Sequence, residues 1–563
     1  MSEHSQSRRR SLVRSLWQLG LFALLDAAFV ASNLSVAYLD FGDGNYLYIS
    51  SRLADGLVLY RDILAPQPPC HLLVGSLLIR LGRLLGHNRI EAQLYTVRVF
   101  SLLLHLATLL VVWAIALRLF RRAGTALWAA AIYLVLPVGL WWTMGYQSEP
   151  LEMFFLLLSF LLLIRWERWS LAAAGLLAAL GISTNMTAVP YVGWAALFLI
   201  VCDWRRAVWY VVPMIALGAV VVGLGEWLSG GHYLENVFFN QVGTFPHPDL
   251  LQTVAPGAPF RTVRTILGYA LSKIAREGAD MLALEGIFVS AAVAGVLLYL
   301  RNGSRATGCQ AVPPEATGCQ PAPPEAPSYH RSFVGWYAFW SFMAICFVSK
   351  GATEDYIFSI GEPFVCLFAA YAITELSDRM FGGNPSPASR SPHPRALAVM
   401  VAVVGFVVLF ARPALWISQI VEQRGVLELR TGEVKKVRSL IEQNSKPGDA
   451  ILAAPYFAFI AQRRLIEEYS ELFIWDIKYL LEQQVEHTEG PATRKVEAIA
   501  GALRRKAIPV VVVNEAITAE GPQPMQVFGA PSVREALAQN YRSVLPQPIR
   551  GLNAWVDVLA PAK

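Results

Sequence analysis

The sequence is poor in charge. Only 16% of its 563 residues are charged, against 55% hydrophobic, and the apolar residues come in long blocks instead of an amphipathic scatter. That excludes both a disordered chain and an ordinary soluble enzyme. Cysteine is also scarce. Of Cys70, Cys202, Cys309, Cys319, Cys346 and Cys366, only Cys70 sits clearly outside a bilayer, so neither a disulfide framework nor a cysteine metal cluster is expected. His71, His232 and His247 lack ligand spacing, and no metal site is expected from them. No G-x-G-x-x-G phosphate loop occurs in the C-terminal part, which leaves a nucleotide site there with little support. The net charge of +6 reflects arginines flanking the apolar blocks and does not indicate a nucleic-acid surface.

The blocks themselves fit a membrane. Roughly twenty apolar residues in a helix cross the hydrocarbon core, and about eleven such spans are expected. They centre on Leu16–Ala37, Leu94–Leu119, Thr125–Leu140, Leu151–Trp166, Leu171–Asn185, Val189–Val201, Ala207–Leu228, Met281–Leu300, Phe333–Val348, Tyr356–Ala372 and Ala396–Phe410. The fifth and sixth are short and could form one re-entrant hairpin. Arg8, Arg9, Arg10 and Arg14 precede the first span, and further arginines (Arg118, Arg121, Arg165, Arg205, Arg301, Arg379 among them) fall on every second connection. The N-terminal tail, residues 1–15, is therefore expected in the cytoplasm of a multi-pass plasma-membrane protein. The first apolar block is too long for a signal core, so it should stay as a span.

Three regions lie outside the expected membrane domain of residues 16–415. Residues 302–330 contain a tandem proline-rich decapeptide, Ala306–Glu315 then Ala316–Glu325, which cannot bury enough apolar surface to fold and reads as a disordered cytoplasmic insertion. The outer loop 229–280 is expected on the membrane surface. From 420 to 563 soluble elements alternate: helices over Val434–Gln443 and Arg494–Lys506, and strands over Ala450–Ala453, Ile508–Val513, Arg542–Leu545 and Ala554–Leu559. Together they suggest a small outer α/β domain.

The first outer loop, residues 38–90, carries the most informative polar residues. Asp40 and Asp43 stand where the chain leaves the bilayer. Tyr46, Ile49, Leu53 and Leu57 follow at helical spacing, with Arg52 and Asp55 off that stripe, as in a short interface helix ended by Asp55-Gly56. A second surface helix is expected from His71 to Leu85, with Leu72, Leu73, Leu77, Leu81 and Leu84 inward and Arg80 and Arg83 free to snorkel toward headgroups. Asp40 and Asp43 could merely cap the first of these helices.

The run Asp40 to Asp62, ending Leu59-Tyr60-Arg61-Asp62 and followed by Pro68-Pro69, resembles the first outer loop of GT-C superfamily glycosyltransferases. The branch it resembles includes protein O-mannosyltransferases and the lipid A aminoarabinose transferase. Gly145-Tyr-Gln-Ser-Glu-Pro150, the stretch Gly175 to Val189 and the stretch Lys350 to Pro363 add to the likeness. The resemblance implies a polytopic helical fold and a polyprenyl-phosphate sugar donor. It also implies a first-loop aspartate as catalytic base: Asp43, with Asp40 as alternative or partner. This chain has Gly44 where many relatives carry a second acid, and Asn185 where many carry lysine. Tyr46, Arg61, Asp62, Glu149, Lys350, Glu354 and Tyr356 become candidates for substrate binding, although Arg61–Asp62 could be a structural pair, Glu149 a helix-start residue and Lys350 a snorkelling lysine.

The chemistry agrees with that implication. A sugar phosphate already has a good leaving group, so one carboxylate can deprotonate the acceptor hydroxyl while cations stabilise the departing phosphate. No organic cofactor is required, and a divalent cation would be compatible. The acceptor would be a lipid, glycan or protein, and attack opposite the phosphate would invert the anomeric centre. The competing classes are a transporter or lipid flippase, for which the chain shows no internal repeat, and a non-catalytic glycan-binding assembly subunit.

Overall fold

In the computed structural model the described residues are 3–34, 41–63, 65, 67–86, 88–136, 145–239, 286, 288–301, 333–335, 337, 361–381, 425–426, 429–468, 491–518, 521–524, 526–551 and 554–562. The expected span Ala396–Phe410, most of Phe333–Val348, the repeat insertion and most of loop 229–280 lie outside them. The helices of the expected membrane domain are α1 (Glu3–Leu34), α4 (Ile90–Phe120), α5 (Ala123–Val135), α6 (Ser148–Leu163), α7 (Arg168–Ile182), α8 (Ala188–Ser229), α9 (Phe288–Arg301) and α10 (Glu362–Phe381). Helix α1 begins at Glu3, so the arginines expected in a tail lie on the helix itself. By length and composition, Ile90–Phe120 and Ala188–Ser229 are the two described helices that could each cross a membrane.

Helix α8 runs 42 residues and breaks at Asp203 (φ −158°, ψ 83°). The Asp203 carboxylate accepts the Arg206 amide at 3.2 Å and so caps the second half. The apolar blocks Val189–Val201 and Ala207–Leu228 are the two halves of this broken helix. Helix α7 returns closely beside it: a Cβ on Gly175 would come 2.1 Å from the Tyr210 carbonyl oxygen, so only glycine lets these backbones approach. Aromatic rings fill the centre, with Phe120 between Tyr299, Phe368 and Tyr371, and Phe160 between Phe333, Tyr337 and Phe364.

Two helices of the first loop form a platform, α2 (Phe41–Ala54) and α3 (Cys70–Gly86). Helix α2 ends where expected, with Gly56 at φ +100°. The inward face of α3 differs from expectation. Leu73, Leu77, Leu81 and Leu84 are exposed, while His71, Leu72, Gly75, Ser76, Ile79 and Gly82 are buried. The physical reason is that the leucine stripe can point to lipid, whereas the small and polar face packs on protein; a Cβ on Gly75 would meet Ser50 Oγ at 2.4 Å. Arg83 is not free to snorkel either, since it pairs with Asp55 at 2.7 Å, and Arg80 donates to the Leu53 carbonyl at 3.3 Å.

The C-terminal domain contains α11 (Thr431–Asn444), α12 (Pro455–Ile460), α13 (Pro491–Arg504) and α14 (Pro531–Asn540). Preceded by the short hairpin β1 (Gly425–Val426) and β2 (Leu429–Arg430) and the parallel pair β3 (Ala450–Ile451) and β4 (Arg464–Leu465), its main sheet has five strands. They are β5 (Val511–Thr518), β6 (Gly521–Pro524), β7 (Tyr541–Ser543), β8 (Ile549–Arg550) and β9 (Ala554–Pro561), in the order β6-β5-β9-β7 with β8 also on β9, all antiparallel. Side chains alternate across this sheet. Val511 joins the core under α13 and α14 with Ile499, Leu503, Phe528 and Val533, while Val510, Val512, Val556 and Val558 face the platform.

That second face is continuous with the first loop. Leu47, Tyr48, Ile49, Leu72 and Ile79 share one hydrophobic cluster with Ile441, Phe457, Phe459 and Val512. All six residues of α12 are buried, and each of its large side chains contributes about 1.5–3 kcal/mol as an upper figure. Gly44 is where α2 meets α12: a Cβ there would lie 2.7 Å from Tyr456 Cβ. A Gly44→Val substitution should therefore wedge the domain from the platform, at about 1–3 kcal/mol. The expected result is a lower unfolding temperature and faster proteolytic release of the C-terminal domain; release at the wild-type rate would contradict this packing.

Candidate active site

The backbone of Asp43 lies in the first turn of α2. Its side chain, like the whole of Asp40, lies outside the described residues. One turn further on, Tyr46 is buried and meets the His71 ring edge-on, with centroids 4.6 Å apart and planes at 82°. His71 is fully buried in the first turn of α3, and its carbonyl accepts the Tyr146 hydroxyl just ahead of α6. The Cys70 amide donates to the Ser183 carbonyl at 2.9 Å, and this bond brings the α7–α8 turn to the start of α3. Four separate stretches of chain thus converge below the first turn of α2.

The α7–α8 turn links this group to two carboxylates. Asn185 Nδ2 donates to Ser148 Oγ and to Glu149 Oε1, each at 3.2 Å, and Thr187 Oγ1 donates to Glu152 Oε1 at 2.5 Å. Spaced three apart, Glu149 and Glu152 share one face of α6, and they are 5% and 0% exposed. Glu149, in the first turn, is favoured by the helix dipole; Glu152 is one turn deeper, inside an apolar segment.

Burial pushes the His71 imidazole down to about 3, so the ring is neutral at physiological pH. The Thr184 backbone lies beside it, but neither ring nitrogen has a hydrogen bond of ordinary geometry among the described residues. The Cys70 thiol is pushed up by burial, which makes it a poor nucleophile. With a neutral imidazole, two carboxyl groups, an amide and hydroxyls, the group is equipped to hold hydrogen-bond donors and suits proton transfer better than covalent catalysis. No cluster of three or more His, Cys, Asp or Glu side chains that could hold a metal ion occurs among the described residues.

Arg61 and Asp62 form an adjacent pair at 2.8 Å, with the Arg61 side chain 54% exposed. The Asp62 carboxylate also accepts the Val58 amide at 2.8 Å, and the Arg61 guanidinium holds its carboxyl below the usual range. The pair closes the turn after α2.

Residues 68–225, which run from the prolines ahead of α3 into α8, match the model of the dolichyl-phosphate-mannose-protein mannosyltransferase family. The fold as a whole is similar to that of ArnT from Cupriavidus metallidurans, whose crystal structure contains undecaprenyl phosphate: 14% identity, 95% of this chain and 97% of that one, TM-score 0.52. It is also similar to the Archaeoglobus fulgidus oligosaccharyltransferase in its apo form, at 10% identity over 95% and 80% of the two chains, TM-score 0.55. At these identities the likeness to the two solved structures is one of fold, and the family match covers the stretch from α3 into α8. No curated protein matches the sequence.

Within this fold, the structure gathers Tyr46 and Glu149 with the backbone of Asp43 around one buried group, whereas Lys350, Glu354 and Tyr356 lie outside the described residues. Sequence reasoning missed His71, Glu152 and Thr187. A single histidine has no spacing to betray it. Glu152, by contrast, carried a usable signal, as a carboxylate inside an otherwise apolar block.

The neutral state of His71 has a measurable consequence. Above about pH 6.5 it is uncharged whether the chain is folded or unfolded. Between about 6.5 and 3 the unfolded chain takes up a proton that the folded site refuses, so stability falls with falling pH, by at most about 1.4 kcal/mol per unit. The unfolding temperature in nanodiscs should drop on going from about pH 7 to about pH 5, and more gently for His71→Asn. An identical acid slope in the variant would count against a buried neutral His71.

Proposed function

We propose that this membrane glycosyltransferase takes a sugar from a polyprenyl-phosphate donor on the outer face of the plasma membrane. It passes the sugar to an acceptor hydroxyl with inversion. The observation that carries the reading is the position of Asp43 in the first turn of α2, directly before Tyr46 and the buried His71–Glu149 group. Asp43 takes the acceptor proton, with Asp40 as its partner or substitute, while the phosphate leaves without needing an acid. Two similar folds contain lipids of the required kind: ArnT contains undecaprenyl phosphate, and the archaeal oligosaccharyltransferase AglB from Archaeoglobus fulgidus contains an inhibitory peptide and a dolichol-phosphate (11% identity over 94% and 79% of the chains, TM-score 0.50).

The topology supports an outer site. The platform and the C-terminal domain (residues 420–563) share one hydrophobic cluster and so lie on the same side of the membrane. The arginine bias puts that side opposite the cytoplasm, with the N-terminus inside. Lys350, at the outer end of the ninth expected span, is assigned to the lipid phosphate, and Glu354 and Tyr356, at the outer entrance of the tenth, to substrate binding; a divalent cation would be compatible with the departing phosphate. Arg61 and Asp62 are assigned to shaping the platform edge.

The test is release of free polyprenyl phosphate from a panel of polyprenyl-phosphate sugars by protein in nanodiscs supplied with membrane extract. Release should depend on one sugar, and Asp43→Asn should reduce it at least about a hundredfold, as for loss of a general base. Full release by the variant would remove Asp43 as base, and no release with any donor would favour transport or an assembly role.

A further inference from the structure

Glu152 has a surplus of hydrogen-bonding capacity that the fold does not use. It is fully buried and sits on α6 about 4.5 Å deeper than Glu149 along the helix axis. One oxygen accepts Thr187 Oγ1 at 2.5 Å; the other, Oε2, has no partner among the described residues. A buried carboxyl oxygen left without a donor is costly, and interiors supply a donor where they can. Carboxyl groups within membrane segments point to function for the same reason.

The neighbours indicate what kind of donor fits. Across the turn at residues 183–187, His71 lies against the Thr184 backbone, Glu149 accepts from Asn185 and Glu152 accepts from Thr187. Two carboxyl groups one turn apart, beside an amide and hydroxyls, suit hydroxyl groups as hydrogen-bond partners.

We infer that Glu152, held by Thr187, is a specificity-determining residue that accepts a hydrogen bond from a hydroxyl of the donor's sugar. This inference rests on the transferase reading above. Glu152 forms no bond to the reacting carbon; it fixes which sugar is bound and in what orientation. Asn185 gives the subsite a neutral wall, consistent with a polyhydroxy ligand.

The experiment measures polyprenyl phosphate release in nanodiscs for wild type, Glu152→Gln and Thr187→Val. The donors are polyprenyl-phosphate mannose, glucose, galactose and xylose, together with single-deoxy forms of the sugar that wild type transfers fastest. Glutamine keeps the shape and can still accept from Thr187. Glu152→Gln should raise the donor KM about three- to tenfold, the worth of a hydrogen bond between neutral groups, with a much smaller change in kcat. Thr187→Val should do the same more weakly.

One deoxy donor should show a similar loss with wild type and no further loss with Glu152→Gln, a coupling that a merely structural residue would not produce. If wild type turns over but Glu152→Gln has the same donor KM and the same deoxy pattern, the sugar contact is wrong and the transferase reading stands. A variant with a lowered unfolding temperature and no coupling would make Glu152 structural, which also overturns the inference. Absence of release by wild type with every donor would remove the transferase reading and this inference together.

Discussion

The arrangement depends on α2 being gripped from both sides. Its buried face rests on α3, and its other flank is held by the C-terminal domain, through α12 and a polar lock. The Tyr48 hydroxyl accepts the Leu465 amide at 2.7 Å and donates to Glu468 at 2.6 Å, while Arg52 pairs with Glu468 at 2.7 Å and with Asp55 at 2.6 Å. Burial, with the Glu468 carboxylate second, pushes the Tyr48 phenol far up, so it stays a donor at any physiological pH. Glu467 and Glu468 both have positive φ, 56° and 46°, a conformation costing about 1–3 kcal/mol per residue, which the surrounding contacts must offset. The contacts that offset this strain, made to the helix that carries Asp43, fix its position more tightly than a short isolated helix could manage.

The membrane half supplies the other fixed reference. His105 Nε2 on α4 stands 3.1 Å from Asp26 Oδ2 on α1, and the Tyr133 hydroxyl on α5 lies 3.3 Å from His105 Nδ1. In hydrocarbon, polar groups like these can hold helices together, because separating them would leave them unpaired. On the far side of the bundle, Ser159 of α6 donates to the Ala174 carbonyl of α7 at 2.9 Å, and Gly175 allows α7 and α8 to close. The turn at residues 183–187 is therefore held by packed helices on both sides, and it is this turn that presents Asn185 and Thr187 to the two carboxyl groups.

Much of this architecture was legible in the sequence because its signals are local. The Asp55-Gly56 stop, the second platform helix and the helix over Val434–Gln443 all follow from short-range spacing. What periodicity cannot tell is which face of an amphipathic helix meets protein: the leucines of α3 face outward because lipid, unlike water, accepts them. Helix α12 was invisible, since six consecutive buried residues carry no alternation. The main strand begins at Val511, later than the apolar run suggested, because Ile508 and Val510 are buried in the approach to the sheet. In the site, Glu149 could be read from its place at a helix start, whereas His71 gains meaning only from Tyr46, Tyr146 and Thr184, which come from three other parts of the chain.

The lock between Tyr48 and Glu468 joins residues 420 positions apart. During synthesis the first loop emerges long before its partner does, and at 5–20 residues per second the wait is about 20 to 80 seconds. For that time Tyr48 and Arg52 lack Glu468, with Asp55 alone at hand for the arginine, and the apolar surface that α12 will cover stands bare. A nascent chain in this state is a natural client for chaperones. A premature stop codon between Phe410 and Leu465 would leave all the expected membrane spans around a platform that never receives its clamp.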